Sequence, residues 1–265
     1  MALILTFKHP PIDLSFLSEY DFEQIDDLTY ELVSKANEEP ITSINDCAFY
    51  ECTSLESVVI PDSVNTIGNN AFFSCTSLES VVIPNSVNTI GNNAFYFCTS
   101  LESVVIPDSV KNICFCAFNH CTSLKSVVIP NSIKTIGNGA FASCKSLESV
   151  IIPDSVNTIN NYAFSSCTSL KSIIIPNYVN TINDNTFFDC TSLKSVVIPN
   201  SVNTIGNYAF ACCVSLESVV IPDSVKTIGY DAFLNCPSLK TVIIDGQLTE
   251  YLKEYFETYY LEIDL

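Results

Sequence analysis

The chain has 265 residues, room for one or two domains with a substantial core. Its 29 carboxylates against 11 lysines and no arginine leave a formal charge of −18. Nucleic-acid binders need a basic face that displaces counterions, so DNA and RNA are poor partners for this chain. The same sign disfavours anionic membrane surfaces, and no apolar run approaches the roughly 20 residues of a membrane-spanning helix, so no membrane insertion is expected. Two histidines, His9 and His120, leave little scope for His-based triads or histidine-rich metal sites.

In chain order, Met1 to Phe7 is apolar but short. It lacks a positive leading region and runs into Lys8-His9-Pro10-Pro11 without a small-residue cleavage site. The expectation is therefore no cleaved secretory signal, a cytoplasmic location and 13 reduced cysteines. Residues 12–40 hold nine acids and one lysine, with Ile25, Leu28, Leu32 and Val33 at helical spacing. This predicts a capping helix near 22–37, ended by Pro40, within an acidic N-terminal capping region, residues 1–40.

A repeat follows. Cysteine recurs every 23 residues at 52, 75, 98, 121, 144, 167, 190, 213 and 236, and leucine (Leu55 to Leu239) and phenylalanine (Phe49 to Phe233) keep the same period. Nine units occupy residues 41–244. Within a unit, Ser57-Val58-Val59-Ile60 is a β-branched run closed by Pro61, which predicts one short parallel strand per coil. Alternation turns Leu55, Val58 and Ile60 inward and Ser57 and Val59 outward. Asp62-Ser63 turns the chain, Val64 and Ile67 return to the core, and Gly68 offers a residue tolerant of positive φ. Asn69 or Asn70 then caps one helical or 3₁₀ turn that carries Ala71 and Phe72 inward. Seven apolar residues per coil are too few to stand alone, so neighbouring coils must share one core.

The pattern Leu-x-x-Val-x-Ile-Pro-x-x-Val-x-x-Ile-Gly-x-x-Ala-Phe-x-x-Cys resembles the BspA-type, or treponemal-type, 23-residue leucine-rich repeat over about three quarters of the chain. The resemblance implies a curved solenoid that binds proteins or surfaces, in a family found in bacterial and protist adhesins and in large DNA viruses. It also implies Cys or Asn at the ladder position as a turn-bonding side chain. The fold class expected is an α/β repeat solenoid, leucine-rich-repeat-like, with helical or 3₁₀ turns opposite the strands and helical caps at both ends. The second cap is residues 245–265, where Thr249 starts a helix with Leu248, Leu252, Tyr255, Phe256, Tyr259 and Tyr260 on one face. That face reads as a lid over the last coil or as a docking motif.

Chemistry is sparse. The cysteine ladder reads as structural or as a metal or redox array, but a metal site needs ligands converging on one point and a ladder spreads them one per coil. The densest cluster, Cys114, Cys116, His120 and Cys121, has a composition zinc accepts, while the repeat register places its members at different points of a coil. No glycine-rich phosphate loop, cysteine–histidine dyad or carboxylate pair stands out, so no catalysis and no cofactor are expected.

The expected binding surface for a protein partner is the outward row Val59, Val82, Val105, Val128, Ile151, Ile174, Val197, Val220 and Ile243. The alternative is that these residues merely favour strands and pack on one another. Specificity falls to variable positions: the series Glu56, Glu79, Glu102, Lys125, Glu148, Lys171, Lys194, Glu217, Lys240, and the edge aromatics Phe73, Tyr96, Phe97, Tyr162, Phe188 and Tyr208. The function expected is a non-enzymatic protein-interaction scaffold. Alternatives are a surface or secreted adhesin, a thiol or metal protein, and a ubiquitin-ligase adaptor, although residues 10–40 show no F-box pattern.

Overall fold

Each 23-residue unit makes one coil of a β-solenoid of about eight turns in the computed structural model, which describes residues 3–8, 20–24, 28–34 and 40–245. The Ser-Val-Val run builds the first ladder. Strand Leu55–Val59 pairs in parallel with Ser80–Val82, and Ser103–Val105 with Ser126–Val128, each one repeat apart, with Val58 beside Val81 and Val104 beside Val127. Between these two pairs the coils stay in step through Glu102 N–H bonding to the Glu79 carbonyl, without strand pairing. A bridge from Val128 to Ile151 carries the ladder on to Ser149–Val150, Ser172–Ile174, Ser195–Val197, Ser218–Pro222 and Thr241–Asp245.

A second ladder was not foreseen. After Pro61 ends the first strand, Val64 N–H bonds back to the Pro61 carbonyl at 3.0 Å, and the β-branched pair Thr66–Ile67 extends again. It pairs in parallel with Ser43–Ile44 and Thr89–Ile90, and the same two-residue strand recurs through Thr227–Ile228.

The third side of the coil is neither strand nor helix. Phe73 N–H bonds to the Asn70 carbonyl and Cys75 N–H to the Phe72 carbonyl, as in consecutive tight turns. The amides between them leave the coil: Asn70, Phe72 and Ser74 donate to Asn92, Ala94 and Tyr96 of the next one. Asn70 and Ser74 have φ of 53° and 59°, and left-handed residues recur at both positions in every later coil. A left-handed residue stops helical propagation, and intercoil bonds draw away the amides that a helix would use internally. Among the described residues there is no helix. The expected α/β repeat with helical or 3₁₀ turns is thus corrected to a β-solenoid.

The glycine reading also changes. Gly68 is not left-handed; a Cβ there would lie 2.6 Å from Asp46 N and 2.7 Å from Asn45 C, so glycine serves the close approach of successive coils.

Inside, Leu55, Val58, Ile60, Val64, Ile67, Ala71 and Phe72 are all buried, as the sequence predicts. Val58 and Ile60 follow the period of two, whereas Leu55, three residues before Val58, turns inward because the register shifts at Glu56. Their equivalents stack coil on coil. The phenylalanines form an unbroken column from Phe49 to Phe233 with near-parallel rings, 5.1 Å apart for Phe49–Phe72 and 5.8 Å at most for Phe164–Phe187. Burying each large side chain contributes about 1.5–3 kcal/mol, and only neighbouring coils supply the burial.

The N-terminal cap is a sheet extension and not the helix expected near 22–37. Strand β1 (Leu3–Phe7) lies antiparallel on Leu55–Val59, β3 (Thr29–Ser34) pairs with β1, and β2 (Tyr20–Gln24) pairs with β3. Leu3, Leu5 and Phe7 are buried while Ile4 and Thr6 are half-buried, a period of two, and Phe7 meets Tyr30 edge to face at 5.7 Å. The first coil's strand edge is thereby covered. At the other end Thr241–Asp245 is strand, so a helix starting at 245 is not supported, and the aromatic face of 248–260 lies outside the described residues.

Candidate functional site

The parallel ladder turns one side chain in two away from the core. Val82, Val105, Val128, Ile151, Ile174 and Val197 point outward and are between 60% and 83% exposed. Val59 falls to 37%, because Ile4 of β1 stands directly opposite it. Val220 is half-buried, and the side chain of Ile243 lies outside the described residues. The i to i+23 register sets the exposed members side by side, about 4.8 Å apart. Beside them runs a second exposed rank, Ser80, Ser103, Ser126, Ser149, Ser172 and Ser195.

Three residues before each outward valine or isoleucine stands the charged series, and three residues after it the Asp/Asn series beginning Asp62, Asn85, Asp108. Two intercoil ion pairs cross the first of these rows, Lys125 to Glu102 at 2.9 Å and Lys171 to Glu148 at 2.6 Å. The Lys171 hydrogen bond and charge hold the Glu148 carboxyl below its usual range. Both pairs are solvent-exposed, so they contribute little to stability and mainly set the pattern of charge on the face.

The cysteine ladder faces inward. Each thiol from Cys75 to Cys236 donates to the carbonyl of the phenylalanine 26 residues earlier, at 3.1–3.2 Å. That carbonyl lies on the turn of the preceding coil. Burial pushes the ladder thiols up, to about 12 for Cys52 and Cys236 and well above the usual thiol range for the fully enclosed ones between them. Each is a protonated donor spanning two coils.

The cluster Cys114, Cys116, His120 and Cys121 is not gathered. Cys116 Sγ accepts from Asn119 Nδ2 at 3.3 Å, Cys121 donates to the Phe95 carbonyl, and His120 Nδ1 pairs with Asn119 Oδ1. Burial, aided by the Lys145 charge, lowers the His120 pKa from its usual value, which suits a neutral ring stacked on Phe97 at 4.4 Å. Among the described residues no three His, Cys, Asp or Glu side chains are placed to hold one metal ion.

The variable edge carries a feature that the sequence revealed only in part. Tyr50, Phe73 and Tyr96 stack at 4.7 and 5.0 Å, and Tyr96 abuts the Phe97–His120 pair. Phe73, Tyr96 and Phe97 were expected on this edge, whereas Tyr50 and His120 were missed. The signal was available in the spacing of 23 from Tyr50 to Phe73 to Tyr96. Tyr162 is exposed by itself and Tyr208 meets Tyr230 edge to face, so the six predicted aromatics do not form one surface.

No curated protein sequence matches the chain. Among solved structures, a leucine-rich repeat protein from Bacteroides ovatus is 34% identical, with a TM-score of 0.69 over 85% of this chain and 62% of its own, so the chain spans about three fifths of that relative. A leucine rich cell surface protein from Faecalibacterium prausnitzii is also 34% identical, with a TM-score of 0.63 over 86% of this chain and 75% of its own. The T. pallidum leucine rich repeat protein is 25% identical, with a TM-score of 0.56 over 97% and 98%. The BspA type leucine rich repeat region matches in 6 copies, over residues 42–171 and 157–263. A 23-residue period, the intercoil cysteine bond and the phenylalanine column thus accompany a match across most of the chain, which belongs to the BspA type leucine rich repeat family.

Proposed function

We propose that the protein is a non-enzymatic interaction scaffold that binds a protein partner through the outward face of its first ladder. The observation that carries this reading is the row Val82 to Val197, six adjacent β-branched side chains left at 60% exposure or more. Apolar patches of several hundred Å² are uncommon on a surface that nothing covers. Rigid coils also present the row without ordering cost on binding.

The test is Val128→Glu with Ile151→Glu, two outward positions whose change leaves the core intact. The variant is expected to keep the parent's thermal unfolding and to lose partners that the parent retains from extracts of its source cells. On the parent, hydrogen-exchange protection on binding is expected across residues 126–128 and 149–151. Retention of every partner by the folded variant refutes the reading.

A second reading, a surface or secreted adhesin, draws on the cell surface relative from Faecalibacterium prausnitzii. Free thiols counted by mass after alkylation under denaturing, non-reducing conditions, on protein from its natural source, separate the two. All 13 alkylated favours a reducing compartment, and a reproducible deficit favours export.

A further inference from the structure

The charge of this chain is unevenly placed along the solenoid. Residues 41–110 hold seven carboxylates and no lysine, whereas residues 111–245 hold eight of each. On the first-ladder face the imbalance flanks the apolar row on both sides. Glu56, Glu79 and Glu102 stand three residues before the outward valines, and Asp62 and Asp108 three residues after them, on the turns that follow Pro61 and Pro107. Only Glu102 among these carboxylates has an ion-pair partner within the described residues, Lys125 of the next coil.

Resting on the sheet-face reading above, we propose that the face over the first three coils docks a cationic amphipathic protein segment. Its apolar side chains lie on Val59, Val82 and Val105, and its lysine or arginine side chains reach the carboxylates on either side. Charge complementarity selects this occupant. A second copy of the chain brings another −18, and residues 246–265, with five carboxylates and one lysine, bring like charge to the same coils. Among the later coils, those of Ile174 and Val197 carry Lys171 and Lys194 opposite Asn177 and Asn200. The two that keep both carboxylates, Glu148 with Asp154 and Glu217 with Asp223, stand beside these lysine-bearing coils, so no three successive later coils offer the same contact.

The probe is a short fluorescein-labelled peptide of alternating lysine and leucine, with glutamate–leucine and lysine–serine peptides beside it, and binding to the full chain is read by anisotropy. The lysine–leucine peptide is expected to bind at least about tenfold tighter than either comparison and to weaken several-fold from low to physiological salt. Glu79→Gln with Glu102→Gln and Asp108→Asn, all exposed, is expected to weaken it about tenfold. Glu217→Gln with Asp223→Asn, at the equivalent positions of a later coil, changes it by less than about twofold. Unchanged binding to the first of these variants overturns the proposal, as does equal binding of the lysine–serine peptide.

Val82→Thr with Val105→Thr keeps the β-branched shape and separates the proposal from the reading beneath it. If the threonine variant loses the peptide while the carboxylate variant keeps it, the face binds and charge does not select. If both keep it, the peptide binds elsewhere and the proposal falls, while the sheet-face reading stands or falls on the Val128→Glu with Ile151→Glu variant.

Discussion

At the scale of single residues, one thiol repeated along the chain does the work of a turn-to-turn fastener. The Phe118 carbonyl accepts from Cys121 N–H within its own coil at 3.3 Å, and Cys144 Sγ adds a second bond to it from the next coil at 3.2 Å. Cys144→Ala removes the donor and leaves a small void, so it is expected to cost about 1–2 kcal/mol in urea unfolding, and Cys144→Ser, which keeps a donor, less. Burial raises the folded thiols above their unfolded value of about 8.5, so above that pH the unfolded chain releases protons that the native chain retains. Their contribution is therefore whole below about pH 8.5 and declines as pH rises toward the folded values, about 12 at Cys52 and Cys236. The urea midpoint is expected to fall between about pH 8 and pH 10.5, with a shallower fall in Cys52→Ser. Exposed Cys47 is expected to alkylate first in the native state, and the ladder thiols only on unfolding, as mapped by mass spectrometry.

The element that matters most is the junction between one coil's second ladder and the next. At Gly91 a Cβ would lie 2.6 Å from Gly68 C and 2.7 Å from Asn69 N, both backbone atoms of the preceding coil. Gly91→Ala is expected to cost about 1–3 kcal/mol, because the coils must part to admit the methyl group. The chain itself shows the compensation. Where asparagine replaces glycine in the repeat, Asn160 and Asn183 donate to the Ile136 and Ile159 carbonyls of the coil before, so Gly91→Asn is expected to be milder than Gly91→Ala. Equal losses in urea titrations would show that the amide bond offsets nothing. Glycine at this position was legible in the sequence, but its reason was not. A recurring glycine signals either φ freedom or close approach, and only the distance to the next backbone decides between them.

For the whole molecule, cohesion passes from coil to coil. Phe141 sits in mid-column, 5.5 Å from both Phe118 and Phe164. Phe141→Ala is expected to cost about 3–5 kcal/mol, and hydrogen exchange is expected to show the loss concentrated in the coils that carry Phe118 and Phe164 and fading with distance. Uniform loss of protection from end to end would instead mark a single cooperative unit. The charge distribution belongs to this scale as well. The acidic early coils and the balanced later ones are properties of position along the axis, and no single repeat contains them.

The period, the inward Val58 and Ile60 and the outward row from Val82 to Val197 were determined by the sequence, because a 23-residue repeat with Pro61 closing a β-branched run fixes which of its residues face the core. The cysteine ladder's structural role followed from the same repetition. Three things were decided only by the tertiary structure. A helical turn and a string of tight turns place Ala71 and Phe72 inward equally well, and what separates them is whether Asn70 and Phe72 donate within the coil or to the next one. In residues 22–37, Leu28, Leu32 and Val33 fit a helical stripe as readily as the strand Thr29–Ser34. The open edge of Leu55–Val59, which β1 and β3 extend, tips that balance toward pairing. The meeting of Tyr50, Phe73, Tyr96, Phe97 and His120 likewise depends on how two positions of the turn project from adjacent coils, a geometry that exists only once the coils are stacked.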